Sequence, residues 1–320
     1  MEMLNRDRTG MTKPIDAPTL QEKFGAQFQS NISLGRYTSA RIGGIADGLL
    51  TANSVDDLVS MVTFLWQEEI PFLILGGGSN VLVSDAGVRG MVLLNKAREV
   101  EFDEESYPPN VWDASGANFV QVASQSSLRG LAGLDWATGI PGTIGGAVVG
   151  NAGAHGEDVA GQLLVAEILH REIEDKRSKN GNPPGMRIKR ENWNPDQFNF
   201  SYRTSLIKER QPGNEQAGDS QKLGWSERNQ PSIAVLAASL QLAHSKREKI
   251  EALINEYGEY RRKTQPGGAS MGSMFKNPPG DSAGRLIEEA GLKGIRVGDA
   301  AISSLHGNFF INYGSATAAD

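Results

Sequence analysis

Two groups of residues in this chain have the types and spacing to do chemistry. The first is backbone: Gly139, Gly142, Gly145, Gly146, Gly150, Gly153 and Gly156 crowd into one stretch. Helix and strand interiors rarely carry that density, because glycine loses more chain entropy on folding than any other residue. Such a run lets N–H groups close on a phosphate or a flat ring that side chains would fend off. Gly76-Gly77-Gly78-Ser79-Asn80 and Arg41-Ile42-Gly43-Gly44 repeat the signal upstream. Any one of them alone reads equally as a tight turn between buried elements. The second group is side chains. Ser273 sits in Gly272-Ser273-Met274-Phe275-Lys276-Asn277-Pro278, where a glycine-flanked loop can expose a hydroxyl, although Gly-Ser is also an ordinary turn. Arg203, between Tyr202 and Thr204, offers a planar fork that either pairs with a carboxylate or faces solvent.

What these motifs lack excludes several chemistries. The Gly76 loop has no Gly-Lys-Ser/Thr and does not give G-x-G-x-x-G before a helix, so neither a P-loop ATPase nor a Rossmann dinucleotide fold is indicated. Phe275 occupies the last glycine position of G-x-S-x-G, which disfavours a hydrolase nucleophile. His155, His170, His244 and His306 are scattered without ligand spacing, so no metal is assigned; His155, within the glycine stretch, reads first as structural. There is no cysteine, hence no disulfide or thiolate chemistry. A net charge of -6 shows no basic footprint for nucleic acid, and no apolar run approaches the length of a membrane span. Met1 to Thr12 has no secretory apolar core, and the cysteine-free composition fits the cytoplasm.

The elements that must position these groups follow from periodicity. Leu20 to Gln29 predicts a short helix, and 33–47 a loop-rich entry. Ser54 with Asp57 resembles a capping box ahead of a helix over 55–68. Strands are expected at 71–75, at Val81 to Val83 and at 91–94, with the Gly76 loop between the first two. Asn118 caps a helix to about Leu131 that leads into the glycine stretch. Strands follow at 165–171 and 233–242. Polar insertions are expected at 176–195 and 211–230, with partial disorder in the second. Ser245 and Glu248 suggest a box opening a helix that starts a second domain, and Asp281 caps another helix ended by Gly291. The segment 302–312 reads as a turn and closing strand. Two glycine loops, each delivered by a helix, point to a large anionic ligand held between two lobes; FAD is such a ligand.

Taken together, the motifs resemble the bacterial UDP-N-acetylenolpyruvoylglucosamine reductases, the MurB family of peptidoglycan synthesis. The likeness rests on Tyr37-Thr38-Ser39-Ala40-Arg41-Ile42-Gly43-Gly44, on Leu75 to Ser84, on Gly139 to Gly156 and on the Ser273 block, in the family's order and spanning about Ser33 to Ala319. It implies an α+β protein: a two-lobed FAD-binding domain of the vanillyl-alcohol-oxidase-like type over 25–242, with lobes 25–98 and 99–242. A flexible tail precedes it over 1–24, and a smaller α+β substrate domain follows over 243–320. FAD would be held by Arg41, Gly76, Gly77, Gly78, Ser79, Asn80, Thr138, Gly139, Ile140, Pro141, Gly142, Gly145 and Gly146. The resemblance further implies NADPH as reductant and UDP-N-acetylglucosamine enolpyruvate as substrate. Ser273 matches the proton donor, Arg203 the cation at the substrate carboxylate, and Lys276 and Asn277 substrate-holding residues. The block from Pro279 to Glu288 looks like the shorter type, without an extra substrate-capping loop. The chain stops at Asp320, before the family's C-terminal glutamate, so a fragment is one expectation. Two rivals remain: another flavin oxidoreductase of the superfamily, and a catalytically impaired flavin- or nucleotide-sugar-binding protein.

Overall fold

The helix Val55–Gln67 holds the first half of the molecule together. Ser54 starts it by accepting from Asp57 N at 3.1 Å. The expected box is only half made, because the Asp57 carboxylate takes Asn53 N and Gln27 Nε2 instead. Val55, Leu58, Met61, Val62, Leu65 and Trp66 are buried. A cap contributes about 1 kcal/mol, whereas a fully buried apolar side chain contributes about 1.5–3 kcal/mol, so packing rather than capping fixes the helix. One wall of that packing is a sheet ordered Phe28–Ser33, Ile45–Ala52, Val88–Asn95, Phe72–Leu75, antiparallel at its first pair and parallel elsewhere. The other wall is a second, antiparallel sheet ordered Met186–Trp193, Leu163–Ile173, Ile233–Gln241, Asn110–Ala114, Val100–Asp103. Its Ala114, Leu169, Ala234 and Leu236 share one core with the helix. Trp66 Nε1 also donates to Pro231 O at 2.8 Å, tying the lobes together.

The far face of the second sheet carries the helices Phe119–Leu128 and Ile144–Gly150 over a core that includes Trp136, Phe198 and Leu240. The helix Arg247–Thr264 lies on this lobe through Tyr257, and Ala243–His244 pairs with Leu131–Ala132. Past it come the helix Ala283–Glu289 and a three-stranded sheet of Arg296–Val297, Ala300–Ile302 and Phe310–Asn312. The structure, a computed structural model, describes residues 4–6, 12–14, 16–173, 185–210 and 231–320. The α+β class with its two-lobed first part stands as expected from sequence.

Several local expectations are corrected. The first helix is Ala17–Phe24, capped by Asp16, with Leu20 and Phe24 buried; it therefore belongs to the core and not to a tail, and Phe28 and Gln29 are already strand. The entry expected as loop over 33–47 ends in the strand Ile45–Ala52. Val81 to Val83 form no strand, and Val81 and Leu82 are exposed. The helix from Asn118 stops at Leu128 because Leu131–Ala132 is drawn into a strand pair. Much of the first supposed insertion is the edge strand Met186–Trp193, paired with Leu163–Ile173. Lys246, not Ser245, occupies the cap position of Arg247–Thr264. Ser282, not Asp281, caps Ala283–Glu289, since the Asp281 carboxylate is taken by Arg285. The expectation for 211–230 falls outside the described residues.

Asp113 is fully buried on the strand Asn110–Ala114, opposite Ala238 and Val100, and neither carboxyl oxygen has a hydrogen-bond partner among the described residues. Burial pushes its pKa up to about 8. The folded state therefore binds a proton that the unfolded chain releases in the ordinary carboxylate range. Stability contributed by the neutral form is present below that range and is lost as pH rises toward about 8. Asp113→Asn removes the titration, so its stability relative to the parent should climb with pH by up to about 1.4 kcal/mol per unit between those limits. Urea midpoints across that range measure it, and a gap independent of pH contradicts the assignment.

Candidate functional site

The two glycine loops meet backbone to backbone. A methyl group at Gly77 would sit 3.2 Å from Gly142 Cα, one at Gly142 would sit 2.9 Å from Ser79 Oγ, and one at Gly76 would overlap Thr143 Oγ1. Ser79 Oγ donates to Pro141 O at 3.1 Å across the junction. Gly78 has φ +62°, and any side chain there would strike Tyr37 O; its own carbonyl accepts from Ser39 N at 2.9 Å. The entry segment that ends in Arg41 is thereby bound to the same junction. Arg41 is exposed, with φ +58°, between buried Ala40 and Ile42.

Beyond the junction the glycine stretch is not a loop. Thr143 caps the helix Ile144–Gly150, which contains Gly145, Gly146 and Gly150. Gly145 is required by contact, since a methyl there would come 2.9 Å from Ser115 Cβ. Gly146 and Gly150, one turn apart, serve a different end. A methyl at Gly150 would meet nothing within 4 Å, and one at Gly146 only Thr143 Oγ1 at 3.6 Å. The protein does not need these two glycines for its own packing. They leave bare backbone facing open space beside the loop junction, which suits a long anionic cofactor with a flat ring.

Arg203 is fastened to the end of this same stretch. Its φ is +56°, a left-handed backbone that costs an ordinary residue about 1–2 kcal/mol and persists only where neighbours enforce it. Its guanidinium donates to Asn151 O at 3.4 Å and to Gly153 O. Asn151 is buried, with φ +43°; its amide donates to Ser201 O and Asp158 Oδ2 and accepts from Ala160 N. Ser205 Oγ donates to Val149 O at 2.7 Å. Lys208 Nζ donates to Arg203 O at 2.9 Å. Burial, then the Lys276 and Arg203 charges, holds the Lys208 pKa below its ordinary value.

Ser273 is exposed, one residue after Gly272 at φ +75°, and bridges Phe309. Buried Asn308 fixes that loop: its Oδ1 accepts from Phe275 N at 2.9 Å, and its Nδ2 donates to Phe275 O at 2.8 Å. Lys276 and Asn277 are exposed, but Asn277 Oδ1 accepts from Ala283 N at 3.1 Å and so supports the following helix. Asn312 Nδ2 donates to Ala40 O at 3.0 Å, docking this C-terminal part beside Arg41. Ile140 and Pro141 complete the turn over Gly139, against which Arg261 lies; a methyl at Gly139 would come 2.9 Å from Arg261 Nε. Thr138 lines a cavity of about 410 Å³ between the helices Phe119–Leu128 and Arg247–Thr264. Asn80 is exposed at the end of its loop. His155 stacks on Tyr257 with ring centres 3.8 Å apart, a packing role for the residue. Sequence reasoning missed Asn151, Lys208, Asn308 and Asn312. The only signal for the three asparagines was an amide side chain close to a glycine or a turn.

The fold and the seat define an FAD-binding protein: residues 46–169 match a family described as FAD binding domain. Residues 264–320 match the C-terminal domain of UDP-N-acetylenolpyruvoylglucosamine reductase. The reductase of that name from Rubrobacter xylanophilus is 38% identical over 305 residues, covering 94% of this chain and 89% of that protein. The one from Bacillus subtilis is 35% identical over 302 residues, covering 94% and 88%. The crystal structure of the Thermus caldophilus enzyme aligns with a TM-score of 0.69 at 32% identity, covering 91% of this chain and 90% of its own. The chain belongs to the UDP-N-acetylenolpyruvoylglucosamine reductase family.

The two kinds of glycine separate in a substitution test. Gly146→Ala should leave the melting temperature of the flavin-free protein unchanged or raised, because alanine is the better helix former, while weakening FAD about tenfold or more by crowding the open face. Gly78→Ala should lower both. Equal FAD affinity in Gly146→Ala and the parent would remove Gly146 from the seat.

Proposed function

We propose that this chain reduces UDP-N-acetylglucosamine enolpyruvate to UDP-N-acetylmuramate in the synthesis of peptidoglycan precursors. Family membership supports the reaction. What supports carrying it to these residues is that both groups are tied to the glycine seat: the Arg203 guanidinium to the Asn151 and Gly153 carbonyls, and the Ser273 loop, through Met271 and Asn312, to the Ala40–Ile42 entry segment. In this reading the FAD-binding domain runs from the helix Ala17–Phe24 to the end of the helix Arg247–Thr264, which packs on its second lobe, rather than from 25 to 242, and the substrate domain is 265–320. NADPH and a nucleotide sugar as reactants place the enzyme in the cytoplasm.

FAD, which the Gly76 and Gly139 loops would hold, would supply the hydride, drawn from NADPH, that the methylene carbon of the enolpyruvyl ether takes up. The residues of the chain do the rest. As hydride arrives, the π electrons move to the neighbouring carbon and spread into the carboxylate. Arg203, with two donors in a fixed plane, steadies that charge where it develops. Ser273 gives its hydroxyl proton to the carbon and recovers one from water. A serine hydroxyl is a very weak acid, so it serves only against a strongly basic, electrostatically supported intermediate; this is why the cation and the hydroxyl must act together. Lys276 and Asn277 hold the substrate from the Ser273 side, Asn277 with the amide nitrogen, because its oxygen is engaged by Ala283.

Ser273→Ala should bind FAD and be reduced by NADPH at the parent rate, yet form product about 100-fold or more slowly, the usual worth of a positioned acid. Rapid-mixing absorbance of the flavin follows each half-reaction. Equal loss of both halves would remove Ser273 from the proton-donor role. Arg203→Lys should also lose most of the second half-reaction, because a point charge does not replace the planar fork at a carboxylate; full turnover in that variant would contradict the clamp.

A further inference from the structure

Arg203 holds a left-handed backbone with no glycine to make it easy, so something must enforce it. The turn Ser201 to Thr204 is closed by its own reciprocal backbone pair, and four further hydrogen bonds surround it. Asn151 grips the carbonyl before it, at Ser201 O, 3.1 Å away. The Asn151 and Gly153 carbonyls receive the guanidinium. Lys208 Nζ grips the Arg203 carbonyl itself, at 2.9 Å, from the helix Leu206–Glu209, whose cap Ser205 is buried and anchored to Val149 O. Lys208 thus turns back from a fixed helix onto the residue of this turn whose backbone is left-handed. Its charge also lies in the neighbourhood of Lys276 on the Ser273 loop.

We propose that Lys208 is a positioning residue for the reduction of the enolpyruvyl sugar: by holding the Arg203 carbonyl it keeps the guanidinium at the mouth of the glycine seat. This rests on the proposed role of Arg203 at the substrate carboxylate. Lys208 acts through Arg203 and on the second half-reaction only; it does not touch the reacting atoms. A lysine is suited to the task. Its charge-assisted hydrogen bond to a carbonyl is stronger than a neutral one, and its flexible stem reaches back five residues.

The test is a double-mutant cycle on the FAD-loaded enzyme, with Lys208→Met, Arg203→Ala and the pair, reading flavin reduction by NADPH and reoxidation by the enolpyruvyl sugar separately. Lys208→Met should leave reduction within about twofold of the parent and slow reoxidation about 10- to 100-fold, the worth of one charge-assisted hydrogen bond. Arg203→Ala should lose more, and adding Lys208→Met to it should change nothing further. Lys208→Arg, which keeps a charged donor, should recover most of the rate; it also supplies the reading if Lys208→Met does not retain flavin. If Lys208→Met costs the same with and without Arg203, or costs nothing while Arg203→Ala is severe, the positioning role is wrong and the Arg203 reading stands. If Arg203→Ala itself reoxidises normally, both fall.

Discussion

The close approach of two backbones, at Gly77 and Gly142, is the constraint on which the rest of this structure depends. A methyl at Gly77 would press on Gly142 Cα, and one at Gly142 on Ser79 Oγ, so side chains there would push the loop after the strand Phe72–Leu75 off the turn before the helix Ile144–Gly150. The contact joins one lobe, built around a mostly parallel sheet, to the other, built around an antiparallel one. It also determines what lies beside it. The entry segment is bound to Gly78, and Arg203 is bound to the carbonyls that follow the helix. A ligand placed at the junction would therefore meet groups contributed by both lobes. The C-terminal part reaches the same place by its own attachment, Asn312 to Ala40, so the Ser273 loop is set relative to the seat through the buried apolar patch of Ala40, Ile42, Met271 and Ala316.

What was legible in the sequence follows from which forces are local. The helix Val55–Gln67 could be read because its cap and its apolar spacing lie in one window, and Asn118 was read as a cap for the same reason. The helix Ile144–Gly150 could not, because three of its seven residues are glycine. What selects glycine there is a contact with Ser115 and an open face, neither visible in the local run. Val81 to Val83 have strand composition but no partner strand, and composition alone does not supply one. The misplaced caps at Ser245 and Asp281 share a cause. Ser245 N is bound to Gly130 O, and the Asp281 carboxylate to Arg285, so tertiary and charge contacts claimed the groups first.

The site was legible in its parts but not in its support. Arg41, Arg203, Ser273 and the glycine loops were named from motifs; the structure ties Arg203 to the carbonyls after the glycine helix and the C-terminal part, which carries Ser273, to Ala40 beside Arg41. The residues that support them were not named: Asn151, Asn308 and Asn312 each satisfy two or more backbone groups, at least one of them distant in sequence, and Lys208 lies at the edge of a polar run where lysine attracts no notice. Electrostatics explains why such support matters. Arg203, Lys208 and Lys276 are like charges near one another, and half-buried Lys208 is held below its ordinary pKa by burial and by the other two. An anion placed among them relieves that repulsion.

The most direct measurement of the central claim is a single turnover. The purified chain, loaded with FAD and reduced by NADPH without oxygen, is mixed with UDP-N-acetylglucosamine enolpyruvate, and flavin absorbance and product are followed together. The account predicts that the oxidised flavin spectrum returns as one UDP-N-acetylmuramate forms per flavin. A flavin that binds and accepts electrons from NADPH but stays reduced in the presence of the enolpyruvyl sugar would contradict it.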